Sequence, residues 1–294
     1  MIYYVKRQDL SVEKYNACIE KSINSRIYAF SWYLDIVADH WDALILNDYE
    51  AVMPLPWRSK YFIKYVYPPA WTQQLGIFSS KEISEDLVGE FIKAIPKKFK
   101  KITIQFNSGN KIIGKNITEK VNYILPLDKP YEELFKNFRK DRKERIKKNE
   151  LNLIVEDNLA IQSLLALFKD HYSDKYLLSK ADSNKLELLV HQLNKKNILS
   201  ISIDLNQEKQ LRAGAIFLTF NNRIYYLFSS QTDEGKTSNS LSIILNKVIK
   251  ENCNSDKILD FEGSIILTIA DFFKSFGAEK EVYYFYQIPF NLFR

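Results

Sequence analysis

Apolar positions recur along this chain with two different periods. Helical spacing predicts helices over 11–23 and 30–38. Alternating or continuous apolar runs then predict strands in DALILND, EAVMPLPW and KYFIKYVYPP, and WTQQLGIF extends this β-rich stretch. A helix over 82–95 follows, then the strands KITIQFN and VNYILPL. The second half opens with helices over 159–171 and 184–194. Strands ILSISIDL, LRAGAIFLTF and RIYYLFSSQ come next, followed by a helix over 238–251, strand KILDFE, a helix over 265–275 and strand VYYFYQI.

The order of elements repeats. The turns LNDYEAV and LNQEKQLRA fall at matching places, each joining two strands as a hairpin does. KITIQFN and KILDFEG are separated by nearly the same distance as the strands before those turns. This predicts two copies of one unit, over 1–130 and 131–294. Between them, 135–152 carries a dense run of lysine and arginine. Phe135, Phe138, Arg142 and Ile146 lie near helical spacing, so the segment reads as a basic helix with a narrow apolar stripe. It serves as a solvated linker or as a patch facing phosphates.

Composition narrows the chemistry. With 294 residues and 46% hydrophobic residues, the chain is long enough for a sizeable core. Only 8 glycines leave little room for a glycine-rich nucleotide loop. The net charge of +6 suits an anionic ligand, from coenzyme A to tRNA, and equally a lysine-rich composition of no functional meaning. Cys18 and Cys253 form no metal or redox pattern, and His40, His171 and His191 are scattered, so no metal is expected. The N-terminus lacks the apolar core of a signal peptide, and no run reaches a membrane span, so a reduced cytoplasmic protein is expected.

The joint between strand KILDFE and the helix over 265–275, ILDFEGSIILTIADFFKSFGA, is where chemistry concentrates. On a strand, Asp260 and Glu262 would share one face, with Phe261 on the other. One carboxylate would take a proton from an amine or hold its ammonium; alternatively, one caps a helix or pairs with a lysine. Gly263 reads as a tight turn, Ser264 as a helix cap and Gly277 as a helix stop. In the first half, Tyr65, Tyr67, Trp71 and Gln73 interrupt an apolar pattern and are candidates for an acceptor groove, or for plain packing.

The antiparallel run, helix, strand, helix, strand order resembles the GNAT acyltransferase superfamily. More specifically, Asp260, Phe261 and Gly263, followed by Phe272, Lys274, Phe276 and Gly277, resemble the closing motif of the tandem, Fem-type branch. RKDRKERIKKNEL, from Arg139 to Leu151, resembles the basic helix that opens its second unit. The resemblance implies an α/β (α+β) fold of two GNAT-like units, each a mixed, mainly antiparallel sheet flanked by helices. It also implies a sheet splayed between its fourth and fifth strands, with the donor's pyrophosphate at the following helix N-terminus. Gln231, Gly235, Lys236, Thr237, Ser238 and Ser240 fall in that loop, and Thr237 and Ser238 are its expected caps. The implied donor is acyl-CoA, with a small-molecule or peptide amine as acceptor. Alternatives are an aminoacyl-tRNA donor, as in the peptidoglycan transferases, or a non-catalytic scaffold. The resemblance gives Lys274 a place near the leaving phosphate or carbonyl oxygen. The family's late-helix tyrosine is replaced by Phe273, which cannot donate a proton.

Overall fold

A computed structural model describes residues 1–148, 153–155, 158–172, 179–263 and 266–290. It divides into two compact units, Met1–Lys120 with Val282–Arg294, and Val121–Glu281.

The first unit begins with β1 (Ile2–Lys6), α1 (Val12–Lys21) and α2 (Ser31–Val37). The short strand β1 is absent from the pattern-based reading. An antiparallel meander follows: β2 (His40–Leu46), β3 (Ala51–Lys60) and β4 (Ile63–Val66). Of WTQQLGIF and the serine after it, only β5 (Phe78–Ser79) is strand. Then come α3 (Glu85–Ala94) and β6 (Phe99–Phe106), and β7 (Ile117–Pro126) takes the chain into the second unit. Ser11 and Ser84 start α1 and α3 by accepting the N–H groups of Lys14 and Leu87. The apolar face of α3, with Val88 and Phe91, closes over Leu44, Met53, Leu55 and Phe99. Removing these side chains from water is the main stabilising term.

The second unit contains α4 (Tyr131–Lys136), α5 (Lys140–Lys148), β8 (Leu153–Val155), α6 (Asn158–Tyr172) and α7 (Lys180–Lys195). Its meander is β9 (Leu199–Leu205), β10 (Leu211–Phe220) and β11 (Arg223–Gln231). It ends with α8 (Asp233–Thr237), α9 (Ser240–Asn252), β12 (Ile258–Asp260) and α10 (Leu267–Lys274), and β13 (Glu279–Ile288) takes the chain back into the first unit. The basic segment is therefore two helices, with a break at 137–139. Phe138 lies in that break and is buried against Phe276, at 5.3 Å between ring centroids.

The internal repeat is present in the pairing. In one unit β4 runs parallel to β6, and in the other β11 runs parallel to β12, each after an antiparallel meander and a helix. The last strands depart from expectation. VNYILPL was expected to finish the first unit, but its Leu125 pairs with Leu259 of β12. VYYFYQI was expected to finish the second unit, but its Tyr284 pairs with Phe106 of β6. Alternation along a strand sets which side chains face the core, and says nothing of which strand lies alongside.

Candidate functional site

The parallel pair β11 and β12 is short. Register runs from Arg223 opposite Ile258 to Tyr225 opposite Asp260, where β12 ends. Beyond that point β11 continues to Gln231, with β10 on one side and, among the described residues, no strand on the other. There the resemblance places the opening of the sheet. The Asp260–Gly263 turn stands at the closed end of the opening, and β11 leads into the loop before α9.

Asp260 is 1% exposed, and both its oxygens are engaged. Oδ2 lies 2.6 Å from Arg223 Nη1, and Oδ1 accepts from Asn122 Nδ2 at 2.9 Å and from the Glu262 N–H at 2.8 Å. Arg223 also meets Glu281, 2.8 Å from Nη2. Burial pulls the Arg223 guanidinium down, but Asp260 and Glu281 more than offset it and hold it above its ordinary value. Asp260 thus belongs to a closed ion-pair network rather than lining an open cleft. Its shared face with Glu262 is also lost, because the strand stops at Asp260. Glu262 and Gly263 follow with φ of 59° and 60°, in the left-handed region where glycine is at ease and glutamate is strained. The hydrogen bond from the Glu262 N–H to Asp260 holds that strained turn. The Glu262 side chain is half-buried. Ser264 lies outside the described residues.

At the other end of the opening, the helix start differs from expectation. Thr232 Oγ1 accepts the Gly235 N–H and begins the five-residue α8, while Ser238 ends it. The residue preceding α9 is Asn239, left-handed at φ 57°, and it makes no side-chain cap to the helix. Thr237 and Ser238 therefore do not cap α9, and its first turn lacks the usual side-chain acceptor for its N–H groups. Ser240 Oγ donates to the buried Asp204 carboxylate. Gly235 is fitted against the Arg212 carbonyl, where a Cβ would come within 2.3 Å of the oxygen. Lys236 is paired with Asp233 at 2.6 Å.

Three arginines converge on this helix start. Arg142, on α5, is 3% exposed, with Nη1 on Ser242 Oγ and Nε 2.9 Å from Ser275 Oγ. Its guanidinium lies over Phe272 at 4.5 Å and Phe276 at 5.0 Å. Among the described residues, no carboxylate pairs with it. Burial, reinforced by neighbouring Arg145 and Arg139 and opposed by Asp141 and Asp271, pushes it down to about 10. Arg145 Nη1 reaches Asn239 Oδ1 at 3.3 Å. Arg212 pairs with Asp204 at 2.8 Å, reaches Ser238 Oγ at 3.4 Å, and has a buried Nε with no acceptor among the described residues. Sequence reasoning named the basic helix and the loop separately. It missed that α5 delivers Arg142 to α9, and it missed Arg212 entirely. The one available signal was Arg142 on the apolar stripe of its helix.

Lys274 is exposed at the end of α10, with Nζ 5.5 Å from the Tyr123 ring centroid. Phe273 is buried, stacked on Phe261 at 4.7 Å. A phenol lies beside it: the Tyr226 ring is 6.1 Å away, and its hydroxyl donates to Ser229 Oγ at 2.6 Å. In the first unit, Tyr67 is buried, its hydroxyl accepts the Asp39 N–H at 3.0 Å, and Arg58 lies over its ring at 4.1 Å. Tyr65 touches it edge-on at 6.3 Å. Trp71 has φ of 65°, and its carbonyl accepts the Tyr33 hydroxyl. Gln73 accepts from Gln74 at 2.9 Å. Tyr67 is thus a packed side chain, and Trp71 contributes a backbone contact. Among the described residues, no cluster of metal-ligating side chains occurs.

No family model and no curated protein matches the sequence. Solved structures do match its fold. FemX is similar at TM-score 0.65 with 11% identity, over 94% of this chain and 96% of that one. The C-terminal domain of a putative lysylphosphatidylglycerol synthetase from Agrobacterium fabrum is similar at 0.54 with 9% identity, over 94% and 90%. N-myristoyltransferase of Saccharomyces cerevisiae is similar at 0.50 with 11% identity, over 98% and 79%. The chain therefore shares the fold of these proteins, a mixed, mainly antiparallel sheet flanked by helices.

Proposed function

We propose that the protein is an acyltransferase that moves an acyl group from a phosphate-bearing donor to an amine. The observation that carries this is Arg142, a buried cation with no carboxylate paired to it among the described residues, beside the first turn of α9, whose N-cap makes no side-chain hydrogen bond. A buried charge without a counter-charge is costly, and a bound anion removes that cost. The helix end adds N–H groups and the positive end of the helix dipole. Arg145 and the buried Nε of Arg212, whose Nη2 is held by Asp204, complete a cradle suited to the pyrophosphate of coenzyme A. Asp233 pairs with Lys236, so Lys236 is left out of it, and Ser240 serves Asp204 instead.

In the reaction, the amine lone pair adds to the thioester carbonyl carbon. The carbon–sulfur bond then breaks with its electron pair on sulfur. The nitrogen proton passes to Glu262, and the thiolate takes a proton from water. Asp260 acts on Glu262 only through the turn it holds. Lys274 is assigned to the donor's outer phosphates or the carbonyl oxygen, where its flexible stem gives it reach.

A second reading, an aminoacyl-tRNA donor, is favoured by the exposed Lys140, Lys147 and Lys148 on α5, which extend positive surface beyond the helix start. Thermal shift with acetyl-CoA, free CoA and charged tRNA separates the readings. Stabilisation by both CoA species supports the first, and stabilisation by tRNA alone supports the second. No shift with any of them sinks the proposal and leaves a scaffold.

A further inference from the structure

We infer that the first unit carries a docking site for an anionic lipid surface, formed by the tip of the β3–β4 hairpin and the lysine-lined groove beside it. The tip is Tyr61 and Phe62, which are 83% and 103% exposed. Lys60 pairs with Ile63 across them, so the loop has two residues, with φ of 48° and 62°. Such a loop favours Asn-Gly, because both positions are left-handed. Two large aromatics here are therefore unfavourable twice, in backbone strain and in exposed apolar area, and Lys60 Nζ lies 5.5 Å from the Tyr61 ring centroid.

The groove next to the tip has a volume of about 470 Å³ and includes Lys6, Lys64, Lys98, His40, Trp41 and Trp57. Its carboxylates are already occupied. Asp35 pairs with Arg7 at 2.8 Å and Asp39 with Arg58 at 2.6 Å. Asp42 accepts from the Tyr4 hydroxyl, from Trp57 Nε1 at 2.8 Å and from the Arg7 N–H at 3.0 Å. Among the described residues, no carboxylate pairs with Lys6, Lys64 or Lys98. Burial lowers the Lys98 ammonium, and the charges of Lys64 and Lys6 lower it further, while Asp42 opposes them. Lys98 Nζ donates to the Tyr4 hydroxyl at 2.6 Å, and a groove lined by three lysines attracts an anion. Lys64 Nζ, 4.6 Å over the Trp57 ring, belongs to both groove and hairpin.

The two features fit one partner. Aromatic side chains settle at the headgroup level of a bilayer, and lysines beside them meet anionic headgroups. A nucleic-acid duplex would meet the lysines with its phosphates but, with its bases stacked inside, would leave Tyr61 and Phe62 projecting into water. This site is built from residues of the first unit alone and stands whether or not the donor reading holds.

The test is co-sedimentation of the full chain with vesicles of phosphatidylcholine alone and of phosphatidylcholine mixed with phosphatidylglycerol. The protein is expected to pellet with the mixed vesicles and to remain in solution with the neutral ones. The double variant Tyr61→Asn/Phe62→Gly suits the turn, so it is expected to melt at the same or a higher temperature while losing vesicle binding. Lys64→Gln with Lys98→Gln is expected to reduce the difference between the two vesicle types. Equal pelleting of the double variant and the parent overturns the inference. So do failure of the parent to pellet, loss of a dimer in the double variant, or binding of RNA by the lysines with no vesicle binding.

Discussion

Arg223 Nη1 lies 2.6 Å from Asp260 Oδ2, and through this pair the strand–helix joint is anchored to the neighbouring parallel strand. Removing one partner of a buried ion pair leaves the other uncompensated, at about 3–5 kcal/mol. Arg223 keeps Glu281, so Asp260→Ala is expected at the lower end of that range. Denaturant unfolding measures it, and a loss below about 0.5 kcal/mol, the size of an ordinary surface substitution, would contradict the structural role.

Glu262 separates chemistry from stability. Its left-handed backbone costs on the order of 1 kcal/mol relative to glycine. Glu262→Gly is expected to melt higher and to transfer acyl groups more slowly, by about 10²–10⁴-fold if it is the base. Glu262→Gln is expected to slow transfer similarly at unchanged stability. Steady-state rates at saturating donor decide this, and unchanged kcat in both variants removes Glu262 from the mechanism.

Gly235 tests the packing of the donor loop. A methyl group there meets the Arg212 carbonyl, so the loop must shift. Gly235→Ala is expected to cost about 1–3 kcal/mol, typical of overpacking, and to weaken donor binding in parallel. A calorimetric titration alongside a thermal melt checks both.

The Cys18 thiol is pushed up to about 11, chiefly by burial, and this is partly offset by hydrogen bonds from Ser22 and Val52. A raised value means the folded state holds the proton more tightly. The associated stability is present below about pH 9 and lost as pH rises towards about 11. Melting curves of the parent and Cys18→Ala are expected to converge across that window. A gap that stays constant with pH would contradict it.

Much of the scaffold was legible in the primary structure. Hydrophobic alternation marked both meanders, and the DFEG and FFKSFG stretches marked the joint and its helix. What escaped was tertiary. Asp260 looked like a cleft carboxylate because its partner, Arg223, lies far back in the chain on a strand that becomes a neighbour only on folding. Asn239 was missed as the residue before α9 because Thr237 and Ser238 are also ordinary cap formers, and the intervening α8, which Ser238 closes, displaced the helix start. Arg142 carried a readable hint, a cation on an apolar stripe, but its destination at Ser242 depends on how α5 packs on α9.

The anion cradle at α9 is the core of the functional reading, and Asn239→Asp addresses it directly. A carboxylate at a helix N-terminus stabilises the helix, by about 0.3–1 kcal/mol, but repels a phosphate at the same place. Isothermal titration of free CoA into the parent and this variant, beside their melting temperatures, reads both effects. A melting temperature that is equal or higher, with binding weakened by about tenfold or more, roughly 1.4 kcal/mol, is the expected result. CoA binding that is unchanged in Asn239→Asp, or absent from the parent, would contradict a donor phosphate site at this helix.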